Sequence, residues 1–140
     1  MAQVLVVEDD SAIRAVLQAA LTASGHEVWA AEDGRAGLRV FDANKIDLVI
    51  TDMLMPNMDG AEFIRRLRAY RPSVKIVAIS GGSRARDRRD LLRDAVALGA
   101  DAALPKPIQP SELRGVVAAL LGLPPPGEPD AEGGGSGPAG

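Results

Sequence analysis

The stretch that leaves this chain the fewest options is Leu48-Val49-Ile50-Thr51-Asp52, an apolar run rich in β-branched residues that ends on a carboxylate. A run with no polar face fits a strand covered on both sides, not one with a side in water. Pro56, Asn57, Asp59 and Gly60 follow within a few residues, and turn formers of this kind stop the strand from continuing. Asp52 is thereby held at the rim of a rigid sheet. Gln3 to Val7 repeats the pattern: Val4-Leu5-Val6-Val7 is a second doubly covered strand, and it runs into Glu8-Asp9-Asp10-Ser11.

Between such strands the apolar period changes. Ile13, Val16, Leu17, Ala20 and Leu21 fall on one helical face, with Gly25 suited to close that helix. Glu27 to Ala31 reads as a second strand. Asp33-Gly34 turns into a helix around Leu38, Val40 and Phe41, and Gly60 opens another with Phe63, Ile64 and Leu67 inward. Val74 to Ser80 is the fourth strand, ended by Gly81-Gly82-Ser83. A basic helix follows with Leu91, Leu92, Ala95 and Val96 on its inner side. Ala102 to Leu104 is the fifth strand, and the last helix, about Pro110 to Leu121, buries Leu113, Val116, Val117, Leu120 and Leu121. Strands alternating with helices predict a three-layer (βα)5 sandwich around a parallel sheet over residues 1–121. Residues 122–140 are Pro, Gly, Ser and acid, a composition with nothing to bury, and are expected to be a disordered tail.

Composition narrows the function. The chain has no cysteine, which excludes thiolate metal sites and cysteine nucleophiles. A net charge of −3 with few aromatics gives no reason to expect nucleic-acid binding. No secretory signal or membrane-spanning run precedes the first strand, so no membrane partner is expected and a cytoplasmic protein is the default.

In a parallel sheet the C-terminal ends of all strands share one edge, where ligands bind. Here that edge collects Glu8, Asp9, Asp52, Ser80 and Lys106. Three carboxylates together repel one another unless a cation sits among them, and hard oxygen donors select Mg²⁺ over zinc. Lys106 and Ser80 are left to meet the oxygens of a phosphoryl group, with Asp52 as a carboxylate nucleophile. Each residue also has a plainer reading: Asp10 or Ser11 as a helix N-cap, Asp59 as a turn residue starting the next helix, Ser80 as loop, Lys106 as a solvated end. His26 is isolated and receives no role. Convergence of five positions on one edge favours the chemical reading.

Glu8-Asp9, Asp52-Met53-Leu54-Met55-Pro56, Asp59-Gly60, Ser80 and Lys106-Pro107, in that order, resemble the receiver domain of bacterial two-component response regulators, over Gln3 to about Leu121. The resemblance implies a flavodoxin-like strand order 2-1-3-4-5, for which a receiver is itself a standard example. It further implies a phosphoacceptor role for Asp52, with phosphate taken from a histidine kinase or histidine phosphotransfer protein. Asp9, Asp52 and the Leu54 backbone carbonyl would ligate Mg²⁺ directly and Glu8 partly through water, and the Lys106-Pro107 bond is commonly cis in such domains. As a receiver the chain would catalyse its own phosphorylation and slow dephosphorylation.

Two features depart from the pattern. Twenty-six positions separate Ser80 from Lys106, more than is usual, and Ala103 stands where an aromatic or His is common. With no effector domain expected after the last helix, output would come through binding a protein or passing the phosphoryl group on. Arg84, Arg86, Arg88 and Arg89 read first as a solvated face and second as a docking patch for an acidic partner. The competing functions are a small Mg²⁺-dependent phosphohydrolase using Asp52, and a non-enzymatic flavodoxin-like binding module. The first would want an acid where Leu54 stands; the second would want a phosphate-binding loop where Glu8, Asp9 and Asp10 would repel one.

Overall fold

A computed structural model of the chain describes residues 2–54, 57–81 and 85–124, without the side chains of 85–88 and 91. In chain order the elements are β1 (Gln3–Val7), α1 (Ser11–Ala23), β2 (Glu27–Ala31), α2 (Gly34–Ala43), β3 (Leu48–Asp52), α3 (Gly60–Tyr70), β4 (Lys75–Ser80), α4 (Ala85–Ala97), β5 (Ala102–Pro105) and α5 (Pro110–Leu120). The five strands form one sheet in the order β2-β1-β3-β4-β5, every pairing parallel. This is the expected three-layer arrangement.

The apolar runs are explained by burial on two sides. On β1, Val4 and Val6 pack toward α1 and α5, while Leu5 and Val7 face α2 and α3. On β3, Leu48 and Ile50 join the first of these layers and Val49 the second. A strand with both faces dry cannot alternate polar and apolar residues, which is why Val4 to Val7 of β1 and Leu48 to Ile50 of β3 are uninterrupted apolar runs. Each fully buried Leu or Ile contributes about 2 kcal/mol through removal from water. Phe63, Ile64 and Leu67 on α3 and Leu113 and Val117 on α5 close the two layers.

The helices begin and end for identifiable local reasons. Asp10 caps α1, its Oδ1 accepting from the Ala12 and Ile13 amides at 2.9 and 3.0 Å. Asp33 caps α2 through the Ala36 amide, and Asp59 caps α3 through the Glu62 amide, both at 2.8 Å. Gly25 has φ +90 beyond the Ser24 C-cap, a left-handed conformation that glycine adopts without strain. At the opposite end of the sheet from the acidic edge, the Arg68 guanidinium bonds the carbonyls of Pro72, Val74 and Gly99 and the carboxylate of Asp101. It thereby ties α3 to the turn between α4 and β5.

Two expectations about helix faces need correcting. Val16 is 52% exposed and Val96 53%, although the periodicity puts both inward. Each lies one residue, about 100° of helical turn, from the centre of its stripe, at Leu17 and Ala95 respectively. The contact with the sheet is narrower than the apolar stripe. Strand and helix ends shift by a residue: β4 starts at Lys75, β5 reaches Pro105, and α5 ends at Leu120 with Leu121 as its cap. Leu123 still donates its amide to the Ala118 carbonyl at 2.9 Å. The expected tail from 125 onward, the turn at 55–56, the loop at 82–84 and Arg84 lie outside the described residues, as do the side chains of Arg86 and Arg88; Arg89 is exposed.

Candidate phosphoryl-acceptor site

Parallel pairing brings the C-terminal ends of β1, β3, β4 and β5 to one rim, with Val7 beside Thr51, Asp52 beside Ile79, and Ser80 beside Pro105. The sequence-selected residues converge there. Glu8, Asp9 and Asp52 each offer a carboxylate oxygen within 4.8 Å of the others, close enough to share one metal ion. Glu8 is fully buried, Asp52 nearly so, and Asp9 exposed. The cluster thus opens to solvent on the Asp9 side. An all-oxygen set of this kind, with no nitrogen or sulfur donor, suits a hard cation.

Lys106 reaches into the cluster from the end of β5. Its Nζ lies 2.8 Å from Glu8 Oε1 and 3.2 Å from Asp52 Oδ2. Its amide donates to the Ser80 carbonyl at 2.8 Å, and the Lys106-Pro107 bond is cis. Gly81 makes room for the stem: a Cβ there would come within 2.7 Å of Lys106 Cδ and 2.8 Å of its Cβ. Gly60 has a similar part at the exit of β3, where a Cβ would meet the Met53 Cα at 2.6 Å. Burial pushes the Glu8 carboxyl above its ordinary pKa, against the opposing pull of Lys106 and the Asp10 amide. Burial also works to lower the Lys106 pKa, but the Glu8 bond and the Asp52 charge outweigh it and the ammonium is held above its usual value.

Ser80 is fully buried at the end of β4, and among the described residues its Oγ has no hydrogen-bond partner. Leu54 lies two residues past Asp52, half exposed, and donates its amide to Asp52 Oδ1 at 3.2 Å. Ala103 is partly buried against the layer under α2, α3 and α4.

Two supports of this rim were not read from the sequence. Arg14 Nη1 donates to the Glu8 carbonyl at 2.7 Å. Asn57 Nδ2 donates to Asp33 Oδ2 at 3.0 Å, tying the loop after Asp52 to the start of α2, and Asn57 has φ 72. That bond and the α2 cap hold the Asp33 carboxyl below the usual range, the Ala36 amide being the larger cause. The only advance signal was Arg14 itself, the one charged residue on α1.

A doubly wound parallel sheet with an acidic cluster and a lysine at its C-terminal rim defines a flavodoxin-like domain with carboxylates placed so that they could hold a metal ion. The chain belongs to the response regulator receiver domain family, whose model matches residues 4–118. It is 36% identical over 122 residues to the response regulator MprA of Mycolicibacterium vanbaalenii, covering 85% of this chain and 50% of the relative. To MprA of Mycobacterium avium it is 35% identical over 133 residues, 93% of this chain and 55% of the relative. The chain therefore spans about half the length of these curated relatives. Among solved structures it resembles a receiver domain protein of Clostridium thermocellum, with TM-score 0.79 and 30% identity over 87% of this chain and 95% of that one. It also resembles the chemotaxis protein CheY4 of Vibrio cholerae, with TM-score 0.76 and 30% identity over 86% of this chain and 98% of that one. Among the described residues no helix is long and apolar enough to cross a membrane.

Proposed function

We propose that this domain is a phosphoacceptor of a two-component or phosphorelay system, taking a phosphoryl group from a phosphohistidine onto Asp52. The observation that carries the proposal is the position of Lys106 Nζ, 2.8 Å from Glu8 and 3.2 Å from Asp52 beside a carboxylate trio. Mg²⁺, held by Asp9, Asp52 and the Leu54 carbonyl with Glu8 acting partly through water, would supply positive charge against the phosphoryl oxygens. An oxygen of Asp52 donates the electron pair of the new O–P bond while the P–N bond to the donor imidazole breaks, its pair staying on the ring nitrogen. Lys106 turns from the two carboxylates toward a phosphoryl oxygen, and the Ser80 hydroxyl donates to another. The partner is a histidine kinase or histidine phosphotransfer protein. A cytoplasmic setting comes with such a donor.

The test is intact-mass measurement after incubation with Mg²⁺ and a small acyl phosphate. The parent gains one phosphoryl group. Asp52→Asn keeps the shape but loses the nucleophile, and gains none. A variant labelled as fast as the parent would show that the acceptor is elsewhere.

A further inference from the structure

We infer that Arg14 is a positioning residue for the acidic pocket, fixing the Glu8–Asp9 peptide and so aiming the Asp9 carboxylate at the cation position. The inference rests on the Mg²⁺ site proposed above. Arg14 is the one charged residue among the thirteen of α1 and sits just past its first turn. A cation near a helix N-terminus opposes the helix dipole, so helix formation does not account for it. Its guanidinium is instead engaged with the Glu8 carbonyl at 2.7 Å, in a partly buried contact.

That bond completes the fastening of Glu8. The Glu8 amide donates to the Ala31 carbonyl at 3.0 Å, Oε2 accepts from the Asp10 amide at 3.0 Å, and Oε1 meets Lys106. Asp9 differs: it is exposed, and among the described residues no hydrogen bond or ion pair holds its carboxylate. Among the described residues, its backbone is therefore the one restraint on where it can point. The peptide plane joining Glu8 to Asp9 is the one whose oxygen Arg14 holds. Outer partners of metal ligands act in this way, by restricting where a ligand can point.

The sign of one measurement separates positioning from simple charge. A guanidinium near a cation site repels the cation, so if Arg14 acted only through its field, Arg14→Gln would tighten Mg²⁺ binding. Positioning requires the opposite. We expect the full chain, titrated with MgCl₂ by calorimetry or amide shifts, to bind roughly ten-fold more weakly in Arg14→Gln. Melting measured without metal reports separately on folding. Arg14→Lys keeps the charge, but its ammonium stops one atom short of Nη1, so the carbonyl contact is lost and affinity should fall in the same direction. Should Arg14→Gln not fold, the lysine variant decides alone, because a field effect leaves it unchanged. Tighter binding in the glutamine variant, or parental affinity in the lysine variant, would overturn the inference while leaving the phosphoacceptor reading intact. A parent that binds no Mg²⁺ would overturn both.

Discussion

At the scale of single residues, the pocket depends on side chains whose reach is set by what their neighbours lack. Lys106 can bridge Glu8 and Asp52 because Gly81 presents no Cβ to its stem. Gly81→Ala forces the lysine aside, and the rate of labelling from an acyl phosphate should fall about ten-fold, or 1.4 kcal/mol in the barrier. A time course by intact mass checks this, and a parental rate would show that the stem has room to spare. Leu54 bears on loss of the phosphoryl group to water. Hydrolysis needs a water in line with the phosphorus, and the half-exposed Leu54 side chain beside Asp52 cannot orient one. The phosphorylated parent should decay slowly, and Leu54→Asn several-fold faster, since one water contact is worth about 1 kcal/mol. Decay after removal of donor at constant Mg²⁺ measures it; equal lifetimes would remove Leu54 from the argument. Glu8, Asp52, Ser80 and Lys106 were legible because each follows an apolar run, and strand ends in a parallel sheet fall on one rim. The Arg14–Glu8 and Asp33–Asn57 bonds were not, because they depend on side-chain rotamers reaching across loops, and spacing along the chain does not encode those.

At the scale of elements, the proposed phosphorylation should be felt at the exit of β4 more than on strand β5. β5 presents Ala103, which has no ring to swing between positions and is packed in the layer beneath α4. Gly81 follows Ser80 directly, and the Lys106 amide donates to the Ser80 carbonyl at 2.8 Å, so a change at either residue should reach the exit of β4 first. Adding a beryllofluoride phosphate mimic should move amide resonances around Ser80 and Gly81 more than those around Ala103 and α5. Large shifts centred on Ala103 with a silent β4 exit would reverse that assignment. Strands and helices were readable as elements because β-branched runs and 3.6-residue periods are strong local signals. The width of a buried face was not. Val16 and Val96 obey the period of α1 and α4 yet stand half in water, because periodicity marks the direction of a stripe and packing decides how far around the helix it extends.

At the scale of the whole molecule, stability should follow pH through a residue far from the chemistry. His26 is the one histidine of the chain, is 9% exposed, and has a buried Nδ1 with no hydrogen-bond partner among the described residues. Burial lowers its pKa below the ordinary 6.5. Between the folded value and 6.5 the unfolded chain holds more proton, so the contribution of neutral His26 is full above 6.5 and is lost as pH falls through the folded pKa. The melting temperature should drop on acidification through this window and drop less in His26→Phe, and proton NMR of the single imidazole should titrate below 6.5. A titration at or above 6.5 would contradict it. Ser80 adds a consequence of another kind. A hydroxyl shut away from water without a partner costs about 1–3 kcal/mol, and under the proposed chemistry a phosphoryl oxygen supplies what is missing. The unmodified domain is then the frustrated form of the two. A signal received would register as durability as well as shape: in a mixed population, the phosphorylated molecules would be the ones slower to unfold and slower to be digested.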